Sequence, residues 1–153
     1  MDEETTLYTS LCYKAEEISL KLIARAEQNS VGLMTKLEKK GFKTDVIRAV
    51  VSGLLERGLL NDERYAELWL RSRLKKKAQS PAWLLASLRK KGIDRYSSSK
   101  ALEKTLDPDT EYAFLLKYIE RRGMPAIGDK AKLKYEGFSK EVLDRYFDNF
   151  NQD

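Results

Sequence analysis

A chain of 153 residues, 42% hydrophobic and 35% charged, can bury a core, but only as one ordinary domain or a few small linked ones. Its apolar runs are too short to cross a bilayer, the acidic start MDEETT is no signal peptide, and the single cysteine, Cys12, excludes an internal disulfide. The formal net charge is +5, and the expectation is a cytoplasmic protein of a reducing compartment with no membrane association.

Helix signals follow in chain order. Leu11, Ala15, Ile18, Leu22 and Ala26 recur every three or four residues, which predicts a first helix ending near Asn29. Ser30 is the expected cap of a second helix that stops at Gly41, and a third runs from about Thr44 to Arg57 with Gly58 behind it. A fourth opens at Asn61 or Asp62. Ser80-Pro81 sets an N-cap before a proline at the first helical position, and Asp94 starts the next helix. Asp107-Pro108 repeats the cap-plus-proline signal for a helix ending at Gly123. The stretch from Gly123 to Lys130, with Pro125 and Gly128, is the least helical part of the interior and reads as a mobile loop. No alternating strand pattern occurs, so the fold class is all-α.

Three of these helix ends obey one local rule. In Leu37/Gly41/Phe42, Leu88/Gly92/Ile93 and Leu133/Gly137/Phe138, a leucine precedes a glycine by four residues and a large apolar residue follows it. That places leucine and apolar residue at the two positions that touch when a helix closes on a left-handed glycine. The flanking sequences align without a gap, and the glycines are 51 and 45 residues apart, spacings typical of helical repeats. The chain thus reads as one three-helix module written three times, over residues 1–58 with an N-terminal extension, 59–106 and 107–153. A unit of about 50 residues has a marginal core, so the modules are expected to pack in tandem as a short curved, elongated array. The seams fall at Gly58 to Asn61 and Thr105 to Asp109.

Charge is distributed unevenly over these modules. Residues 1–67 hold 12 acids and 10 bases, residues 68–93 no acid and 8 bases, and residues 94–153 hold 12 acids and 11 bases. Arg71, Arg73, Lys75, Lys76 and Lys77 occupy the end of one helix, and Arg89, Lys90 and Lys91 close the next. Cations at helix C-termini are favoured by the macrodipole, which explains part of the pattern but not the absence of interspersed acids. Such a local field attracts polyanions, nucleic acid above all. Lys39 and Lys40, at the matching turn of the first module, extend the strip; Tyr135 and Glu136 stand at that place in the third.

Tyr65 with Trp69, and Tyr112 with Leu116, are four residues apart, as core-facing pairs are. Core packing is likewise expected of Tyr146 and Phe147. Trp83, beside the basic cluster, has two open readings: stacking on an exposed base or packing on a protein partner. Catalysis finds little support. There is no histidine, no phosphate-binding glycine loop, and Glu3/Glu4, Glu16/Glu17 and Asp62/Glu63 sit at helix starts or on amphipathic faces. A binding protein without metal or cofactor is expected.

Residues 58–93, GLLNDERYAELWLRSRLKKKAQSPAWLLASLRKKGI, carry Leu59, Leu60, Asp62, Arg64, Tyr65, Ala66, Arg71, Ser72, Arg73, Pro81, Leu88, Lys91, Gly92 and Ile93 at spacings that resemble the central signature of the RecX recombination regulators. The resemblance extends to KLEKKGF in the first module and KYEGFSKEVL in the third. Two departures stand out: Ala78-Gln79-Ser80-Pro81 replaces the usual Gly-x-Gly-Pro, and Lys134-Tyr135-Glu136-Gly137-Phe138 the usual Arg-Arg-Gly-Phe. The resemblance implies a non-enzymatic modulator of the RecA recombinase, and the chain is expected to act as a monomer. Such a protein lies in the groove of the RecA filament on single-stranded DNA, suppresses ATP hydrolysis, strand exchange and coprotease activity, and so regulates DNA repair, recombination and the SOS response. The contact surface is then Arg71, Arg73, Lys75, Lys76, Lys77, Arg89, Lys90 and Lys91 with Trp83, supported by Lys39 and Lys40. A sequence-specific helix-turn-helix DNA-binding protein and a helical scaffold for another protein are the alternatives.

Overall fold

A computed structural model describes residues 2–76, 79–123 and 129–150, Phe150 by its backbone alone. Lys77, Ala78 and residues 124–128, the greater part of the expected loop, lie outside the described residues. Nine α-helices and their turns make up the rest, with no strand among the described residues. They are α1 (Glu3–Arg25), α2 (Ser30–Lys39), α3 (Thr44–Glu56), α4 (Asp62–Lys76), α5 (Pro81–Lys90), α6 (Arg95–Thr105), α7 (Pro108–Arg122), α8 (Lys130–Tyr135) and α9 (Lys140–Phe150).

Short polar side chains set most of the helix starts by accepting backbone N–H groups that have no intrahelical partner. Asp2 accepts from Thr5 at 2.7 Å, Asn61 from Arg64 at 2.9 Å, Asp94 from Ser97 and Asp107 from Thr110 at 2.8 Å each, and Ser80 Oγ from Trp83 at 3.2 Å. The second helix departs from expectation. Asn29, not Ser30, is its cap, accepting from Gly32 N–H at 2.7 Å, while α1 has already ended at Arg25. Ser30 is the first helical residue, and its N–H and hydroxyl both donate to the Asp62 carboxylate, the former at 2.7 Å. Ala26 therefore follows α1 as its exposed C-cap.

The glycine turns close as the local rule requires. Gly41, Gly92 and Gly137 all have φ near +90° (93°, 88° and 96°). Phe42 N–H donates to Leu37 O and Phe138 N–H to Leu133 O, each at 3.3 Å, with Gly41 N–H on Glu38 O and Gly137 N–H on Lys134 O beside them. Leu37, Leu88, Leu133, Ile93 and Phe138 are buried. Each such leucine contributes roughly 1.5–3 kcal/mol by leaving water.

The chain divides into two compact units, one of residues 1–65 with Lys91–Ile93, the other of residues 66–90 and 94–153. In the first, α1 and α2 both pack on α3 around Ala15, Leu33, Leu37, Val46, Ile47, Val50, Val51, Leu54 and Leu60. Arg64 ties its last turn together, donating to Glu27 at 2.8 Å and to the carbonyls of Gly58 and Leu59. Two residues of the signature, Asp62 and Arg64, thus hold the fold.

In the second unit α5 packs on α6, and α7 and α8 pack on α9. Phe138 sits 5.3 Å from the Tyr118 ring and 6.3 Å from Phe114, while Tyr146 and Phe147 meet edge to face at 5.2 Å. Tyr146 and Phe147 are buried, as expected. The buried face of α7 is Phe114, Leu115, Tyr118 and Ile119; Tyr112 is half-buried and Leu116 exposed, so that pair is not the core face. At Gly137 the turn seats on the start of α5, where Ala82 N–H, free of an intrahelical partner, donates to Glu136 O at 3.0 Å. Gly92 seats in the same way against Val31, near the start of α2.

Candidate nucleic-acid interface

The C-terminal half of α4 carries Arg71, Arg73, Lys75 and Lys76, and the last turn of α5 carries Arg89 and Lys90. Arg73, Lys75, Lys76, Arg89 and Lys90 lie in last turns, where the macrodipole favours positive charge, and Arg71 stands a turn earlier. All but Arg73 are exposed. Among the described residues no carboxylate pairs with Arg71, Lys75, Lys76, Arg89 or Lys90. Elsewhere in the same unit the chain does pair its cations: Lys104 with Glu67 at 3.2 Å, Lys130 and Lys140 with Asp144 at 2.5 and 3.0 Å, and Arg145 with Asp109 at 3.0 Å. What sets this surface apart is the absence of any acid in residues 68–93, and its five exposed cations present their charge to solvent.

Arg73 differs from its neighbours. Its guanidinium lies 5.4 Å from the ring centre of Trp69, one turn back on α4, and 5.4 Å from that of Trp83 in the first turn of α5. Both distances fall within the range where a cation is held by the ring quadrupole. Arginine stacked in this way keeps in-plane N–H groups for an acceptor such as a phosphate oxygen. Trp83 remains 39% exposed although its ring is engaged. Trp69 and Tyr65, expected in the core, are half-buried; the residues of α4 that reach the interior are Ala66 and Leu70. An i, i+4 spacing marks a shared face but does not say which one is covered.

The remaining candidates are placed as follows. Lys39 ends α2 and Lys40 caps it, both exposed in the first unit. Lys91, the exposed residue after α5, groups with Gly92 and Ile93 in that unit. Lys77 lies outside the described residues. Sequence reasoning missed the three-part arrangement of Trp69, Arg73 and Trp83. Its local half, Trp69 and Arg73 four apart on one helix, was available; the partner across the turn was not.

A groove of about 470 Å³ between α1 and α3 is lined by Tyr8, Cys12, Tyr13, Glu16, Val50 and Arg57, with Arg57 ion-paired to Glu16. Tyr8 is pushed up from its ordinary pKa, first by its hydrogen bond with Cys12. Among the described residues no group of three or more His, Cys, Asp or Glu side chains is gathered to hold a metal ion, and no helix is long and apolar enough to cross a membrane.

Comparison with known proteins agrees with this arrangement of helices. A family model described as RecX, second three-helix domain, matches residues 61–102. The regulatory protein RecX of Treponema pallidum (strain Nichols) is 31% identical over 134 residues, covering 88% of this chain and 75% of that protein. That of Mycolicibacterium smegmatis is 38% identical over 98 residues, 64% of this chain and 52% of the relative. The crystal structure of RecX from Lactobacillus salivarius superposes with a TM-score of 0.70 at 21% identity, covering 95% of this chain and 99% of that one, a likeness of fold. On the extent and identity of the Treponema match, the chain belongs to the RecX family of regulatory proteins.

Proposed function

We propose that this protein is a cytoplasmic, non-enzymatic modulator of the RecA recombinase, acting as a monomer on the filament that RecA forms on single-stranded DNA and suppressing its ATP hydrolysis, strand exchange and coprotease activity. The observation that carries the reading is the uncompensated basic surface of α4 and α5 in a chain whose relatives are named regulatory proteins. Arg71, Arg73, Lys75, Lys76, Lys77, Arg89, Lys90 and Lys91 form the principal contact with phosphate or acidic filament surface, with Lys39 and Lys40 in support. Three linked modules, at residues 1–58, 59–106 and 107–153, offer several weak patches on one chain. On a repeating polymer linked patches gain avidity without any one of them binding tightly. Inhibition on this reading needs no active site, because occupying the filament is enough.

The test is RecA ATP hydrolysis on single-stranded DNA during titration with the wild type and with a Lys75→Glu, Lys76→Glu, Lys77→Glu triple variant. Suppression by the wild type at substoichiometric ratios and at least a tenfold weaker effect of the variant are expected, together with a slope of log K against log salt shallower by about 2, from three lost single-strand phosphate contacts. Equal suppression by both proteins at low salt would sink the assignment of the surface. No suppression at stoichiometric excess would sink the RecA reading itself. A preferred duplex sequence with a discrete footprint would point instead to a helix-turn-helix DNA-binding protein.

A further inference from the structure

We propose that Trp83, held by Arg73, is a nucleobase-stacking platform that makes the basic surface select unpaired over paired nucleic acid. The inference deepens the reading of that surface as a nucleic-acid contact and rests on it, but does not require RecA. Trp83 is the first of two unusual features here: an indole left 39% exposed although its ring meets an arginine. Its backbone is anchored, since its own N–H donates to Ser80 Oγ at 3.2 Å, the next N–H to Ser80 O at 3.0 Å, and the preceding one to Glu136 O at 3.0 Å. Its ring is met by the Arg73 guanidinium, itself braced by Trp69, each at 5.4 Å. The second feature is Arg73, a half-buried cation held by two rings and by no carboxylate among the described residues.

The cations alone would choose wrongly for a protein that works on single strands. Duplex DNA carries the denser phosphate charge, and the counterion release per contact is larger for it. A stacking residue reverses the preference, because the face of a base is hidden in a duplex and open in a single strand. The surroundings suit such a strand. Lys76 lies one turn beyond Arg73, and Lys90 shares the α5 face of Trp83 two turns on, roughly 10 Å along the axis. Only Ala86 and Ser87 stand between them on that face. A base on Trp83 thus has Lys90 further along α5 and Lys76 beyond Arg73 on α4 as cations for its phosphates, while Arg73 is the positioning residue for the ring.

Fluorescence anisotropy of the full chain on an oligodeoxythymidylate and on a duplex of equal length tests this, with helical content checked by circular dichroism. Trp83→Leu is expected to weaken single-strand binding about tenfold while leaving duplex affinity and the salt slope unchanged. Trp83→Phe, which keeps an aromatic face, should recover most of the loss. Arg73→Lys, which keeps the charge, should weaken single-strand binding several-fold in the wild-type background but add little to Trp83→Leu, the non-additivity of a residue that acts through the ring. Unaltered single-strand affinity in Trp83→Leu overturns the proposal, as does an equal loss on both nucleic acids. A loss of RecA suppression without any change in DNA affinity also overturns it and marks Trp83 as a protein contact. If the triple lysine variant loses suppression while Trp83→Leu binds single strands normally, the filament reading stands and this one falls.

Discussion

Gly41 and Gly137 have nearly the same backbone conformation, φ +93° and +96°, and occupy equivalent turns, but only one has neighbours. A Cβ built on Gly41 meets nothing within 4 Å. On Gly137 it would stand 2.9 Å from the backbone nitrogen of Ala82 and 3.2 Å from Pro81 Cβ. Gly41→Ala should therefore cost only left-handed strain, about 1–2 kcal/mol. Gly137→Ala adds an overpacked contact worth about 1–3 kcal/mol and disturbs the Ala82-to-Glu136 hydrogen bond, about 0.5–1.5 kcal/mol. The total is about 2.5–6.5 kcal/mol, and at about 2–4 °C per kcal/mol for a chain of this size the melting temperature should fall far more than for Gly41→Ala. Thermal melts followed by circular dichroism, with urea titration beside them, measure the difference. Gly92→Ala belongs with Gly137, since its Cβ would lie 2.5–2.9 Å from Val31 side-chain atoms. Adding Val31→Ala should rescue it only in part, because the Val31 Cβ is itself at 2.6 Å. Equal losses for Gly41→Ala and Gly137→Ala would refute the argument that these turns are seats for the next helix start.

Acid should loosen α6 and α7 through their caps. Asp94 and Asp107 are held below the ordinary aspartate pKa, first by the backbone N–H groups of Ser97 and Thr110 and then by those residues' hydroxyls. A depressed folded pKa gives stability that is complete above the unfolded value, near 3.9, and is lost as pH falls through the folded value. The Asp94→Asn, Asp107→Asn double variant keeps neutral caps and should show a shallower loss of helicity below about pH 4; an unchanged acid profile would refute this. Asp62→Ala should cost about 1–3 kcal/mol in urea denaturation, from two stranded Ser30 donors, and more than Asn61→Ala, which removes a cap worth about 1 kcal/mol. The reverse order would contradict the roles assigned to these neighbours.

What the sequence disclosed about the fold was what a few adjacent residues decide among themselves. A leucine, a glycine and an apolar residue close a helix by bonds that span five positions, so Leu37 to Phe42 and Leu133 to Phe138 were readable from spacing alone. Asp107 before Pro108, and Ser80 before Pro81, were readable for the same reason. Ser30 was misplaced because the carboxylate that takes its donors is 32 residues away, and Asn29 and Ser30 are equally good caps when judged locally. The face of α7 was misjudged because its middle is apolar almost all round. Tyr112/Leu116, Phe114/Tyr118 and Leu115/Ile119 all keep a spacing of four, and only the packing of α9 on α7 chooses among them.

The basic surface was legible for the opposite reason: it is a statement about composition over 26 residues, 68–93, and needs no pairing information. Composition, however, treats Arg71 and Arg73 as equals. Two residues apart on a helix, they point about 200° from one another, so one faces solvent and the other turns toward α5, where Trp83 waits in a first turn fixed by Ser80. That distinction separates attraction from selection. Exposed lysines and arginines draw any polyanion and are screened alike by salt, and the macrodipole accounts for where they stand but not for the absence of acids around them. An aromatic face braced by a half-buried arginine adds a demand that only an unstacked base meets. On the proposed reading, the two together draw a small helical module to DNA by charge and retain it there by strandedness.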